Sequence, residues 1–338
     1  MVIPICHLAP GTDRAYNNPD HCRQGGSFMA ETAFKKIEMP ACEAEKLIRL
    51  HLGEGASELE LLTGGNLSTV YAFTHQNRGY VAKFSPLPDD YKVEKLVSGF
   101  LEGRHVPYPA CVGQSTYGAA QYVIQERMGG KPLASYSAEE KRRQFPQLFR
   151  ILSQIHSTDI SGTRGFGWLT ASGDGAYGSW EDYVAAMFGE EQERGSFWHD
   201  WMRLFKTSCL EKDVFEECYN RLLAYLPYNA PHRHLLHGDV HAWNLLSDGT
   251  GITGIVDGNF LYGDIWVDVV NLDRHLAQMN VVEAYLNSLG AAADEIPHFR
   301  ERLKGAYYFK GVDALRFYAK MGYRQAYEGT RQFLLGLD

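Results

Sequence analysis

The sequence predicts an α+β protein of two lobes, strand-rich at the N-terminal end and helix-rich at the C-terminal end. Three observations carry this. Strand-like runs crowd between Leu59 and Met128, helical periodicity dominates beyond a Gly-Gly-Lys-Pro break, and 338 residues, 45% of them hydrophobic, suffice for two cores. A formal charge of −8 argues against a nucleic-acid partner, which would present a basic stripe, and weakly favours a cationic one. Cys6, Cys22, Cys42, Cys111, Cys209 and Cys218 are scattered, as reduced thiols of a cytoplasmic protein would be. No apolar run reaches the roughly 18 residues of a membrane span.

Residues 1–39 read as a tail, rich in Pro, Gly, Asn and Asp and without period, and translation is expected to start at Met29. The N-terminal lobe spans 40–128. It opens on "ACEAEKLIRLHLG", apolar at helical spacing with a Gly stop, followed by strands in "LELLTGG", "STVYAFTH" and "RGYVAKFSP". "YKVEKLVSGFLEG" is the next helix, and "AAQYVIQERMGGKPL" a strand that runs into the break. The C-terminal lobe, 129–338, is helical in "RRQFPQLFRILSQIHS", "SWEDYVAAMF" and one long stretch, "GVDALRFYAKMGYRQAYEGTRQFLLGL".

Within "HLLHGDVHAWNLL", His237-Gly238-Asp239 and, five residues after the aspartate, Asn244 fit the protein-kinase catalytic-loop spacing His-x-Asp-x-x-x-x-Asn. "GITGIVDGN" then forms a strand ending at Asp257, where such a fold places a second magnesium carboxylate. Phosphoryl transfer has a loose transition state, so the protein must align the acceptor hydroxyl and neutralise phosphate charge. A carboxylate takes the hydroxyl's proton, while an amide and a second carboxylate hold Mg2+ through oxygen. Lys83 on a strand and Glu94 on the following helix supply the expected phosphate clamp. The turn "TGGNLSTVY" offers Gly64, Gly65, Asn66, Ser68 and Thr69 to cover phosphates, although a plain hairpin would look the same.

On "HGDVHAWN", "IVDGNFLYGDIWVD", "YVAKFSP" and "LSQIHS", from about Leu61 to Asp268, the chain resembles the aminoglycoside phosphotransferase family of kinase-like enzymes. "GFGWLTASGDGAYGSWEDYV" is similar to the hygromycin B branch in particular. The resemblance implies a two-lobed protein-kinase-like fold, with Asp239 as catalytic base and Asn244 and Asp257 as magnesium ligands. Lys83 would pair with Glu94, and main-chain groups around Glu126 and Met128 in "IQERM" would read the base of ATP, GTP being equally compatible. His237 would brace the loop, and Asp264 and Asp268 would tie down its backbone. The family usually has an aromatic directly after the second metal aspartate. This chain has Gly258-Asn259, so the floor of the site is expected to differ.

His241 fits either a loop hydrogen bond or a substrate contact, and Trp243, like Trp180, either core or site. Asp182 and Asp273, with Glu181 and Glu283, are the acids available to a cationic drug, although such positions are more often solvated helix charges. "GDGAYG" satisfies a dinucleotide-binding pattern, but no strand precedes it. Two rivals remain. His237, Asp239 and His275 could make the iron triad of an oxygenase, or the chain could be an inactive nucleotide-binding regulator. The first leaves Asn244, Lys83 and Glu94 idle, and the second commonly loses residues that are all present here. The expected protein is a monomeric or homodimeric kinase acting on a small molecule.

Overall fold

The computed structural model describes residues 34–62, 67–189 and 191–337. Helix α1 (Ala41–Leu52) leads into strands β1 (Glu60–Leu62), β2 (Thr69–His75) and β3 (Arg78–Ser85). Helix α2 (Glu94–Leu101) and strands β4 (Cys111–Tyr117) and β5 (Ala120–Glu126) complete an antiparallel sheet of order β1-β2-β3-β5-β4. Strand alternation sorts its residues by face. Tyr80, Ala82 and Phe84 of β3 join Ala120, Tyr122 and Ile124 of β5 in a core under Ala44, Leu47 and Ile48 of α1. Lys83 and Gln125, at odd positions between them, therefore face the other way, toward α2 and the second lobe.

One expectation changes here, and another falls outside the described residues. Residues 34–39 are not a tail, since Met39 is buried in this core, and Thr69 and Tyr71 hydroxyls donate to the carbonyls of Ile37 (2.6 Å) and Met39 (2.7 Å). The proposed start at Met29 lies outside the described residues, as do Gly64, Gly65 and Asn66.

After the crossing, β6 (Lys131–Pro132) pairs with the C-terminal lobe rather than with the first sheet. There follow α3 (Ala138–His156), β7 (Phe166–Leu169), β8 (Gly175–Tyr177), α4 (Trp180–Gly189), α5 (Leu204–Thr207) and α6 (Lys212–Asn229). Strands β9 (His234–Leu236), β10 (Leu245–Ser247), β11 (Ile252–Ile255) and β12 (Leu261–Gly263) precede α7 (Trp266–His275), α8 (Val281–Leu289), α9 (Phe299–Met321) and α10 (Arg324–Leu335). Helix α3 starts where Ser137 and Glu140 form a reciprocal capping box, and it buries Phe145, Leu148, Phe149, Leu152 and Ile155. The expected long terminal helix is two, because Gly322 adopts φ 75° and ends α9. Small sheets β11-β10-β6 and β8-β7-β12-β9 present the connections β9–β10 and β11–β12 toward the first lobe. No helix among the described residues is long and apolar enough to cross a membrane.

Candidate active site

The loop that carries Asp239 leaves β9 on a turn that only glycine allows. Gly238 holds φ 78°, and a Cβ there would collide with the Asn259 carbonyl. Buried Asp268 accepts both the His237 N–H (2.9 Å) and the Gly238 N–H (2.8 Å), with His156 Nε2 3.0 Å away. Asp264 accepts a two-pronged Arg302 (2.9 and 2.8 Å) and the Asn229 amide. Both acids thus anchor backbone and helices, as expected of them. His237 braces as well. Burial holds its pKa below the usual value, so the neutral ring donates from Nε2 to the Val256 carbonyl (3.2 Å) and accepts the Asp239 N–H at Nδ1 (3.3 Å).

This bracing delivers Asp239. Asn244 Nδ2 donates to the Asp239 carbonyl (3.0 Å) and Oδ2 (3.3 Å), and to the Asp257 carbonyl (3.4 Å). His241 Nε2 lies 3.5 Å from Oδ2, and Asn271 Nδ2 3.5 Å from Oδ1. Burial opposes ionisation of Asp239, but His241, Lys310 and His237 outweigh it and hold the carboxyl well below its usual range. It stays an anion, ready to accept a proton.

Asp257 sits beyond β11 with a left-handed φ of 56° and is hydrogen-bonded by Lys83 Nζ. The expected Lys83–Glu94 pair is not a direct contact. Glu94 instead accepts the Tyr108 hydroxyl (2.6 Å) and Gln125 Nε2 (2.9 Å), both at Oε2. The ammonium goes to Asp257, the less satisfied of the two acids. Glu94 still acts on it: burial opposes the charge on Lys83, while Asp257 and Glu94 together raise its pKa.

Asn244 and Asp257 fit a magnesium ion by donor chemistry, one amide oxygen and one carboxylate, both hard ligands. Asn244 spends Nδ2 on two carbonyls and Asp239, and no hydrogen bond from a described residue falls on its Oδ1. Among the described residues no group of three or more His, Cys, Asp and Glu side chains is placed to hold a metal, which counts against the iron triad. His275 instead packs its ring against His241, centroids 4.8 Å apart.

Other expected residues divide. Thr69 spends its hydroxyl on Ile37, whereas Ser68 bonds the Tyr91 phenol. At the expected hinge, the Glu126 and Arg127 N–H groups go to the carbonyls of Ala110 (3.0 Å) and Gly79 (2.9 Å). Trp180 is core, but Trp243 is exposed. Asp182 is exposed in the first turn of α4. Asp273 is not a solvated acid. It accepts the Tyr307 hydroxyl (2.6 Å), and burial raises its pKa. Phe260 fills the space a side chain at Gly258 would need, and meets the rings of His237 (5.3 Å) and Tyr108 (5.4 Å) edge-on. Asn271, Lys310 and Tyr108 went unrecognised in the sequence. Lys310 donates from α9 to the Gly238 carbonyl (2.9 Å), a contact no local motif announces.

A family model described as the phosphotransferase enzyme family matches residues 58–303. The chain belongs to this family. It is a small-molecule phosphotransferase. Hygromycin-B 4-O-kinase of Escherichia coli is 23% identical over 240 residues, 70% of this chain and 68% of that protein. The crystal structure of aminoglycoside phosphotransferase APH(4)-Ia superposes with a TM-score of 0.71 at 20% identity, over 88% of this phosphotransferase and 98% of that chain. A thermostable mutant of the same enzyme, in a ternary complex with AMP-PNP and hygromycin B, gives 0.71 at 21% identity, over 87% and 97%. Spectinomycin phosphotransferase APH(9)-Ia, with ADP and spectinomycin, gives 0.60 at 12% identity, over 88% and 98%. The phosphotransferase therefore has the protein-kinase-like fold, a sheet-rich lobe over a helical one.

Proposed function

We propose that this phosphotransferase moves the γ-phosphoryl group of ATP to a hydroxyl of an aminoglycoside of the hygromycin kind. The observation that carries the reading is the meeting of Asp239, Asn244, Asp257 and Lys83 across the lobes. Asp239 accepts the proton of the acceptor hydroxyl as the oxygen attacks phosphorus. Lys83 turns from Asp257 to the α/β-phosphates, with Glu94 holding its charge from behind. Magnesium, held by Asn244 and Asp257, would neutralise phosphate charge. His241, 3.5 Å from the Asp239 carboxylate, would meet the acceptor beside the base. The likeness to hygromycin-B 4-O-kinase supports the choice of acceptor class.

An ADP-release screen over aminocyclitol antibiotics, macrolides and small alcohols such as choline, homoserine and sugars tests this. Turnover with a hygromycin-like compound is expected. Turnover only with neutral or anionic alcohols would remove the aminoglycoside and leave the kinase.

A further inference from the structure

We infer that Lys310 of α9 is a positioning residue for phosphoryl transfer: its ammonium, seated on the Gly238 carbonyl, fixes the peptide that leads into Asp239 and sets a permanent positive charge beside that carboxylate. This rests on the reading of Asp239 as base. Gly238, at φ 78°, is the loosest link ahead of Asp239, because glycine lets a peptide plane turn over at little cost. Both polar ends of that plane are held. Its carbonyl accepts Lys310 Nζ (2.9 Å), and its N–H goes to His237 Nδ1 (3.3 Å). Lys310 is itself anchored. Arg274 of α7 donates to the Lys310 carbonyl (3.1 Å), and Tyr307, one turn earlier on α9, reaches Asp273 of α7 (2.6 Å). Helix α7 also carries Asp268 and Asn271, which bond the Gly238 N–H (2.8 Å) and the Val240 carbonyl (3.0 Å). The loop is thus gripped by two helices that are tied to each other.

A neutral donor could hold the carbonyl, so the charge needs its own reason. The Lys310 side chain is half-buried, and among the described residues no carboxylate lies within ion-pair distance of it. Keeping a partly desolvated ammonium without a direct counter-ion is costly. The Asp239 charge, acting through space, offsets that cost, and the effect is mutual, since Lys310 favours the ionised carboxyl. Asn271 carries no charge and His237 is kept neutral by burial. Among the described residues Lys310 is the one lysine or arginine that bonds this loop.

Steady-state kinetics of the full chain and of its K310M, K310A and K310R variants, with ATP and hygromycin B or whichever screened alcohol is turned over, tests the inference. K310M and K310A should lower kcat by about ten- to a hundredfold, the worth of a hydrogen bond from a charged donor, with both KM values within about twofold. K310R should regain most of the rate. Propylammonium, which supplies the atoms that K310A lacks, should restore that variant saturably, where sodium chloride at equal ionic strength does not. A K310M chain that does not fold leaves K310A to give the same readings. Unchanged kcat overturns the inference. So does a raised KM for ATP, which would make Lys310 a phosphate ligand, and so does a loss that neither arginine nor propylammonium restores, which would leave it packing alone. Should the wild type turn over no acceptor, or D239N stay near normal, the reading of the site falls and takes this inference with it.

Discussion

Two pairs of aspartates share one short stretch of this chain and do opposite work. The side chains of Asp264 and Asp268 are wholly buried, and each accepts three or more hydrogen bonds from fixed donors. Those of Asp239 and Asp257 are 43% and 55% exposed and keep oxygens that the protein only partly satisfies. Residue type cannot separate the pairs, but residual hydrogen-bonding capacity does. A saturated carboxylate can only hold structure, while an unsaturated one held at a fixed place can take a proton or a cation.

The sharpest way to break this distinction is to neutralise one member of each pair. Asp239→Asn should cut kcat by about 10²- to 10⁴-fold with nucleotide affinity little changed, because only the proton acceptor is removed. Near-normal turnover would remove Asp239 as base. Asp264→Ala should leave the Arg302 guanidinium buried and unpaired, at a cost of about 3–5 kcal/mol in a urea titration. A stability loss of comparable size in Asp239→Asn would erase the contrast.

Asp257→Ala gives a subtler contrast. Stability should fall by about 1–3 kcal/mol, since the lost pair joins a half-exposed carboxylate to a Lys83 side chain that is only 12% exposed. The magnesium-dependent tightening of nucleotide binding should disappear, as Asn244 alone is a poor ligand. Calorimetry with and without magnesium reads both nucleotide affinities. Retained tightening would move the metal to other oxygens.

Much of this contrast was legible in the sequence because it is local. The spacing of Asp239, Asn244 and Asp257 survives as a motif, since one loop and the two short paired strands β10 and β11 fix all three. Lys310 and Asn271 left no such trace, because their helices meet the loop only after long-range packing of α7 and α9. The strand β4 was also missed. It lies at the sheet edge with most of its residues outside the core, so Gln114, Ser115 and Thr116 break the apolar alternation that marks a strand. Residues 34–39 read as tail for a similar reason, their order coming from Thr69 and Tyr71 rather than from any period of their own.

The histidines around the base extend the comparison to pH. Burial pushes His275 well below its ordinary pKa, helped by His241 and Arg274, and its Nδ1 has no partner among the described residues. The unfolded chain takes up a proton near pH 6.5 that the folded one refuses. The stability this contributes is therefore complete above about 6.5 and lost as pH falls below it, by up to about 1.4 kcal/mol per pH unit for each such histidine. His237, also depressed by burial, adds to the slope, whereas the depressed Asp268 acts only below about pH 4. Urea titrations from pH 7.5 to 5 should show a shallower decline in His275→Gln. An unchanged slope would mean that His275 is protonated in the fold.

The smallest effect concerns the outlying acids, where structural and functional carboxylates are hardest to tell apart. Asp273 accepts the Tyr307 hydroxyl, so Asp273→Ala should cost about 1–2 kcal/mol of stability, the size of a lost side-chain hydrogen bond. It should not raise the acceptor's KM in a salt-dependent way. Asp182 is exposed, with no ion-pair partner among the described residues. Asp182→Asn should leave stability within about 0.5 kcal/mol. If Asp182 attracts a polycationic acceptor, the variant's KM rises about two- to threefold at low ionic strength with kcat unchanged, and the difference closes as salt shortens the Debye length to about 3 Å at 1 M. A KM indifferent to both the substitution and salt would return Asp182 to the solvated surface, and the carboxylates that meet a cationic acceptor would then have to be sought nearer Asp239.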